Sequence, residues 1–321
     1  MPEKIKISSS ELRALLADEA TADETLKRYY NAKDDDPFNV GLVLKPEYEI
    51  VYAPGEPQLE AFGGTAVDLA NGFIRWRRKR KYDRMKSQFP DRPRLVAEGD
   101  SWFQHPLVTE TIDHLTDAHG YLVRSLDAAG ATLEDMVEED EYLEKLLDEK
   151  ARALLLSGGG NDLMGGRFGE WLQAYTPGPP GQNVARLIKS SALDPAIATL
   201  KSLYEGILTK VKNEAPGKLV FVHTYDHVRP RADGKWLGKP MIEKGITHAL
   251  DMDAIIVELI GRFTRMLESV AQQFPGVAVV VRNVGVVPAG QWYDEIHPSD
   301  LGFVPVARRF KDALVANGLS V

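Results

Sequence analysis

From residue 94 onward the chain predicts an α/β fold built on a parallel sheet with helices covering both faces. Three observations predict it. First, short apolar runs at 95–97, 121–125, 153–156, 218–223 and 277–281 alternate with longer stretches of helical periodicity at 107–118, 132–150, 195–213, 252–274 and 298–316. Second, the short runs are continuously apolar rather than alternating, as strands buried on both faces are. Third, a helical segment separates each pair of runs, so successive strands lie parallel and are joined by right-handed crossovers. Open sheets of this kind keep their ligands at the carboxyl ends of the strands.

Length and composition narrow the class. The 321 residues allow one or two domains and a sizeable core. An apolar share of 44% and a charged share of 27% suit an ordinary globular protein. The formal charge of −8 argues against a general nucleic-acid binder. There is no cysteine, which excludes disulfides, thiolate metal sites and cysteine nucleophiles. The first residues carry no apolar h-region and no segment approaches a membrane span, so the expectation is a cytoplasmic protein.

Residues 1–91 read as a separate, mainly helical extension. Ser8-Ser9-Ser10-Glu11 before Leu12, Leu15 and Leu16 predicts a capped amphipathic helix. A second helix is expected over 22–30, a turn at Asp34-Asp35-Asp36-Pro37, a short strand or extended arm at 48–52, and a third helix over 66–87. The third carries Arg75-Trp76-Arg77-Arg78-Lys79-Arg80-Lys81, in which six of seven residues are basic. Such a stretch can dock on an anionic surface, but in an acidic protein a solvated helix face neutralised by acids such as Asp83 and Glu60 is the expectation. Phe89-Pro90-Asp91-Arg92-Pro93 then marks the boundary with a second unit, 92–321.

In that unit four blocks follow strand ends. The strand at 95–97 stops at Gly99-Asp100-Ser101-Trp102, a tight turn bearing a serine. Asp127-Ala128-Ala129-Gly130-Ala131-Thr132 follows the second strand, Ser157-Gly158-Gly159-Gly160-Asn161-Asp162 the third, and Asp294-Glu295-Ile296-His297-Pro298 comes last. A parallel sheet brings such ends to one edge. Each block alone has a plainer explanation: a helix cap at Asp100 or Ser101, a glycine turn, surface charge before a helix. Together they supply a reaction. A serine hydroxyl needs a neighbouring base, which His297 can be, and Asp294 can hold the imidazole in the required tautomer. Pro298 is expected in the first turn of the final helix. The Gly130 amide, the Asn161 carboxamide and the Ser101 amide can stabilise an oxyanion. Two insertions, 168–184 and 225–246, follow strand ends and are expected to line the substrate.

These blocks, Gly99-Asp100-Ser101-Trp102, Gly130, Gly159-Gly160-Asn161-Asp162 and Asp294-Glu295-Ile296-His297-Pro298, resemble the four sequence blocks of the SGNH hydrolases, or GDSL esterases and lipases. The resemblance covers about residues 94–318. It implies a flavodoxin-like three-layer α/β/α sandwich with a five-stranded parallel sheet. It also implies a Ser101 nucleophile, a triad completed by His297 and Asp294, and an oxyanion hole from Ser101, Gly130 and Asn161. Trp102 stands where the family usually has leucine, and the first 91 residues match nothing in the family.

The remaining candidates are weaker. His105, His114, His119, His223, His227, His248 and His297 show no metal-binding spacing, so no metal or other cofactor is expected. Tyr225 and Asp226, at the end of the fourth strand, are candidates for substrate contact, as are Trp102 and Trp292; with Phe103 and Trp236 the two tryptophans could form an aromatic wall, although core packing is the commoner fate of such rings. The expected activity is hydrolysis of a carboxylic ester through an acyl-enzyme, with a carbohydrate acetyl ester or small acyl ester as substrate. The alternatives are a lysophospholipase or thioesterase, or a non-catalytic binding module on the same fold.

Overall fold

The computed structural model describes residues 4–18, 21–32, 41–54 and 66–321. The chain opens with a small mixed layer: β1 (Ile5–Ser8), α1 (Ser9–Ala17), α2 (Ala22–Tyr29), β2 (Tyr30–Ala32), β3 (Leu42–Leu44) and β4 (Tyr48–Val51). β1 runs parallel to β4, and β2 antiparallel to β3. α1 begins where its cap indicates, because Ser8 Oγ accepts the Glu11 amide at 3.1 Å. Leu12 and Leu16, one turn apart, join Ile7, Leu26, Tyr29 and the distant Leu107 in a separate apolar cluster. A mainly helical segment was expected; the described part also carries four short strands in two pairs. The turn expected at 34–37 and Glu60 lie outside the described residues.

α3 (Ala66–Gln88) leads from this layer to the main sheet and packs on its edge. Its basic stretch is only partly a solvated face. Lys79 and Arg80 are exposed, Lys79 pairing with Asp83 at 2.7 Å. Arg75 and Arg78, one turn apart, point inward instead. Arg75 donates to the carbonyls of Leu126 and Asp127. Arg78 is buried among Glu110, Asp113 and Asp127 and donates to the Phe103 carbonyl at 2.7 Å. Burial works against the charge of Arg78, but the three carboxylates outweigh it and keep the guanidinium charged. Burial likewise works against the charge of Asp113, yet Arg78 and Arg77 bring its carboxyl down to about 2; Asp127 is pushed up to about 6 by burial, against the pull of Arg78.

The main sheet contains β5 (Arg94–Gly99), β6 (Leu122–Ser125), β7 (Ala153–Ser157), β8 (Leu219–His223) and β9 (Ala278–Val281), all parallel, in the order β6-β5-β7-β8-β9. This is the doubly wound flavodoxin-like order, with the expected number of strands. The helices between strands are α4 (Thr111–Asp117), α5 (Leu133–Glu139), α6 (Glu141–Asp148), α7 (Gly160–Met164), α8 (Ser190–Glu214), α9 (Gly238–Glu243) and α10 (Ala249–Gln273); α11 (Asp300–Ala316) follows the last strand. α8 packs on α5 and α10, and α11 on α4. Right-handed crossovers put these two groups on opposite faces, because the chain reverses direction along the sheet after β6. β7 is buried along its whole length, as its apolar run requires.

Several boundaries differ from the sequence expectation. The helix expected over 132–150 is two, α5 and α6, broken at Asp140 in the left-handed conformation with φ 55°. α4 starts only at Thr111, capped by the Glu110 carboxylate, because Leu107 belongs to the N-terminal cluster. α8 starts at Ser190 and takes Pro195 into its second turn. α11 starts at Asp300, capped by Ser299, so Pro298 lies outside it and bridges to Trp292 instead. No helix among the described residues is long and apolar enough to cross a membrane.

The buried cluster yields two predictions. Arg78→Leu, which leaves carboxylates buried without their cation, should lower stability by about 3–5 kcal/mol, read as a fall in the urea midpoint. Because the Asp127 carboxyl titrates higher in the folded chain than in the unfolded one, its contribution is complete below its ordinary value and disappears as pH rises through about 6. The midpoint difference between wild type and Asp127→Asn should therefore move against the wild type between roughly pH 4 and 7.

Candidate active site

The switch point of this sheet lies between β5 and β7, and the carboxyl ends of these strands carry Ser101 and the Ser157–Asn161 turn. The turn after β5 is shaped by Asp100. Its amide donates to the Ser157 carbonyl at 3.1 Å, and its carbonyl accepts the amides of Phe103 and Gln104. Its carboxylate, buried beneath the turn, accepts the Trp102 amide at 3.0 Å, the Ser157 hydroxyl at 2.8 Å and the Tyr225 hydroxyl at 2.5 Å. Burial raises the Asp100 carboxyl above its ordinary range, and these bonds hold it back. At Gly99 an added Cβ would press on Phe103 and Ser157, so only glycine lets the strand end turn here.

The last block meets this turn. His297 Nε2 lies 2.8 Å from Ser101 Oγ, and His297 Nδ1 lies 2.8 Å from Asp294 Oδ2. The other oxygen of Asp294 accepts the amides of Ile296 and His297, each at 2.7 Å. The carboxylate is thus held in place without a helix between acid and imidazole. Burial works against its charge, but His297 and these bonds hold the Asp294 carboxyl well below the usual range. With Asp294 accepting at Nδ1, that nitrogen carries the proton and Nε2 is left to accept from the serine hydroxyl.

The three expected oxyanion donors lie just past the carboxyl ends of β5, β6 and β7. Ser101 and Gly130 have amides that donate to no group among the described residues. Gly130 sits at φ 91°, a conformation that favours glycine. Asn161 donates one amide hydrogen to the Ala131 carbonyl at 2.7 Å, which fixes its side chain against the Gly130 loop and leaves the second hydrogen free. Two residues outside the sequence expectation hold these loops. Asn71, on α3, pairs twice with the main chain of Ala129 and accepts from Gln104 at 2.7 Å, joining the Gly130 loop to the Ser101 turn. Glu295 is buried and accepts the amides of Arg231, Trp236, Leu237 and Gly238. It moors the insertion at 225–246 to the loop that carries His297. Gly234 and Gly238 admit this carboxylate, since a Cβ at either would collide with it or with the Arg231 carbonyl. A glutamate between an aspartate and an isoleucine gives no sequence signal for such a role.

The proposed substrate contacts divide differently. Trp102 is buried, with its ring edge-on to Tyr225 at 5.2 Å and to Phe303 at 5.6 Å. Tyr225 is buried and bridges two blocks, donating to Asp100 and accepting the Gly160 amide at 3.0 Å. Asp226 accepts the amides of His227, Gly285 and Val287, each at 2.6 Å. Trp292 is half-buried under the Arg229 guanidinium, at 5.7 Å. Phe103 is buried and Trp236 half-buried, so the aromatic residues fill the core around the site and form no open wall.

A second Ser-His-Asp arrangement lies beneath the first. Ser157 Oγ contacts both His223 Nε2, at 2.7 Å, and Asp100. Here the carboxylate meets the serine, not the imidazole. His223 Nδ1 lies 2.9 Å from the Thr224 carbonyl and 3.2 Å from the Asn283 amide nitrogen, and burial lowers the titration of the ring to about 4, so it is neutral. Phe103 and Phe310 enclose the His223 ring. These partners describe a buried brace below the Ser101 turn. His105, Asp294 and His297 also present ligand atoms within 4.8 Å of one another. Nδ1 of His105 accepts the Leu107 amide, however, and both nitrogens of His297 are engaged.

The bridge at Tyr225 is testable. Tyr225→Phe strands the Gly160 amide and removes a bond to Asp100. It should lower stability by about 1–3 kcal/mol, measured as the denaturant midpoint at unchanged m.

No protein-family profile and no curated protein matches the chain. Solved structures do. The chain is similar to an extracellular lipase from Streptomyces rimosus at 15% identity and a TM-score of 0.47, over 69% of this chain and 99% of that one. It is similar to a protein described as a GDSL-like lipase from Parabacteroides merdae at 14% identity and a TM-score of 0.45, over 71% and 96%. It is also similar to an acetylxylan esterase from Geobacillus stearothermophilus at 17% identity and a TM-score of 0.41, over 69% and 94%. The solved structures it is similar to thus include GDSL-type lipases and esterases, all at low sequence identity.

Proposed function

We propose that the chain is a serine hydrolase of the SGNH type that cleaves carboxylic esters. One observation carries this reading: the hydroxyl of Ser101, the imidazole of His297 and the carboxylate of Asp294 stand in line at 2.8 Å and 2.8 Å. Ser101 attacks the acyl carbonyl while His297 Nε2 takes its proton; Asp294 stabilises the imidazolium that forms. The free amides of Ser101 and Gly130 and the second amide hydrogen of Asn161 receive the developing oxyanion. His297 returns the proton to the leaving alcohol, and water, activated by the same imidazole, clears the acyl-enzyme. The residues from 92 onward perform this chemistry, and described residues before 92 brace them, through Asn71 at the Ser101 and Gly130 loops and through Lys27 at Asp300.

Ser101 is only 1% exposed, and Glu295 moors the 225–246 segment to the loop that carries His297. So little exposure of the hydroxyl favours a small acyl group, an acetyl ester of a carbohydrate above all, over the long chain of a lysophospholipid or a bulky thioester.

Ser101→Ala should lower turnover of an aryl acetate by ~10³-fold or more while the thermal midpoint survives. Near wild-type turnover in that variant would refute the nucleophile. A fluorophosphonate should label Ser101 in the wild type; an unlabelled protein would instead be the binding module on this fold. Across esters of graded acyl length, the rate should be highest at acetyl and fall by about tenfold or more at octanoyl. A rising series would favour a lipid substrate.

A further inference from the structure

His105 lies outside every sequence block, yet it sits against the proposed acid–base pair. Its ring centroid is 4.7 Å from that of His297, and Tyr293 packs edge-on against it at 5.3 Å. One ring nitrogen of His105 lies within 4.8 Å of ligand atoms on both Asp294 and His297. Its tautomer is fixed by a main-chain contact: Nδ1 accepts the Leu107 amide at 3.2 Å, so the proton is on Nε2. That Nε2–H is buried and has no partner among the described residues. Leu107 itself does not belong to the main core. It is buried in the N-terminal cluster with Ile7, Leu12, Leu16, Leu26 and Tyr29. A continuous path of contacts therefore runs from the N-terminal layer through Leu107 and His105 to His297.

We propose that His105 is a positioning residue for the reaction: a neutral ring, seated by the N-terminal layer through Leu107, that holds the His297–Asp294 pair in line and aims the positive end of an N–H dipole at it. This rests on the assignment of Ser101, His297 and Asp294 given above. The groups facing His105 are His297, Asp294, Tyr293 and, from the N-terminal layer, Lys27. Burial, the neighbouring imidazole of His297 and Lys27 oppose a charge on His105, and only Asp294 favours one. The ring thus packs beside the base without placing a second cation there.

Three variants assayed on an aryl acetate beside Ser101→Ala test this. His105→Phe keeps a flat ring against His297 and removes both nitrogens. It should lower kcat by ~10-fold or more with KM within about twofold. His105→Gln, whose amide nitrogen reaches the place of Nε2, should recover most of the lost kcat. Leu107→Ala should reproduce the fall in kcat with KM unchanged. A His105→Phe enzyme with kcat as in the wild type would overturn the proposal. If that variant does not fold, His105→Asn, which keeps an acceptor for the Leu107 amide and loses Nε2–H, decides by the same readings. A Leu107→Ala enzyme with lowered thermal midpoint but full kcat would overturn the link to the N-terminal layer. Turnover retained by Ser101→Ala is the separate result that removes the underlying site assignment.

Discussion

The structure depends first on a carboxylate buried under the turn that carries Ser101. Asp100 joins β5, β7 and the segment after β8 through the Trp102 amide, the Ser157 hydroxyl and the Tyr225 hydroxyl. A buried carboxylate with fewer partners would be strongly unfavourable, so the three donors and the carboxylate require one another. Tyr225 extends the same junction to the Gly160 amide and so to the turn that carries Asn161. The turn bearing Ser101 is rigid because three strand ends converge on its neighbour.

A second frame holds the other half of the site. Asp294, His297 and Glu295 lie within one short loop, and each has a different role. Asp294 fixes the imidazole, Glu295 binds the main chain of the 229–238 stretch, and Asp300 at the next helix start accepts from Lys27 at 2.7 Å and from the Thr109 amide at 2.8 Å. The loop is tied to the 225–246 insertion on one side and to the N-terminal layer on the other. With Asn71 on α3 bridging the Ser101 and Gly130 loops, the segment before residue 92 touches the site from two directions.

Much of this was legible in the sequence, and the limits have physical causes. The five apolar runs became the five strands because continuous burial leaves a continuous apolar signal. That Ser101, His297 and Asp294 meet was legible because a parallel sheet gathers the loops at its strand ends along one edge. Glu295, Asn71 and His105 were not, since their roles depend on which distant main-chain groups the fold delivers to them. The break at Asp140 was invisible because a helical pattern runs through it, and an aspartate tolerates the left-handed backbone without announcing it. The basic stretch misled for the opposite reason. Composition reports how many charges a helix carries, whereas inward or outward direction depends on acids contributed by segments far along the chain, Glu110, Asp113 and Asp127.

The burial of Arg78 bears on the order of events during synthesis. α3 leaves the ribosome before any strand of the sheet it covers, and Asp127 is made only after β6 is complete. A guanidinium cannot enter an apolar interior ahead of its counter-charges, so this helix must wait in solvent while the first crossover forms. Its docking on the edge strand therefore follows the synthesis of Glu110, Asp113 and Asp127, so this helix settles after segments that come later in the chain.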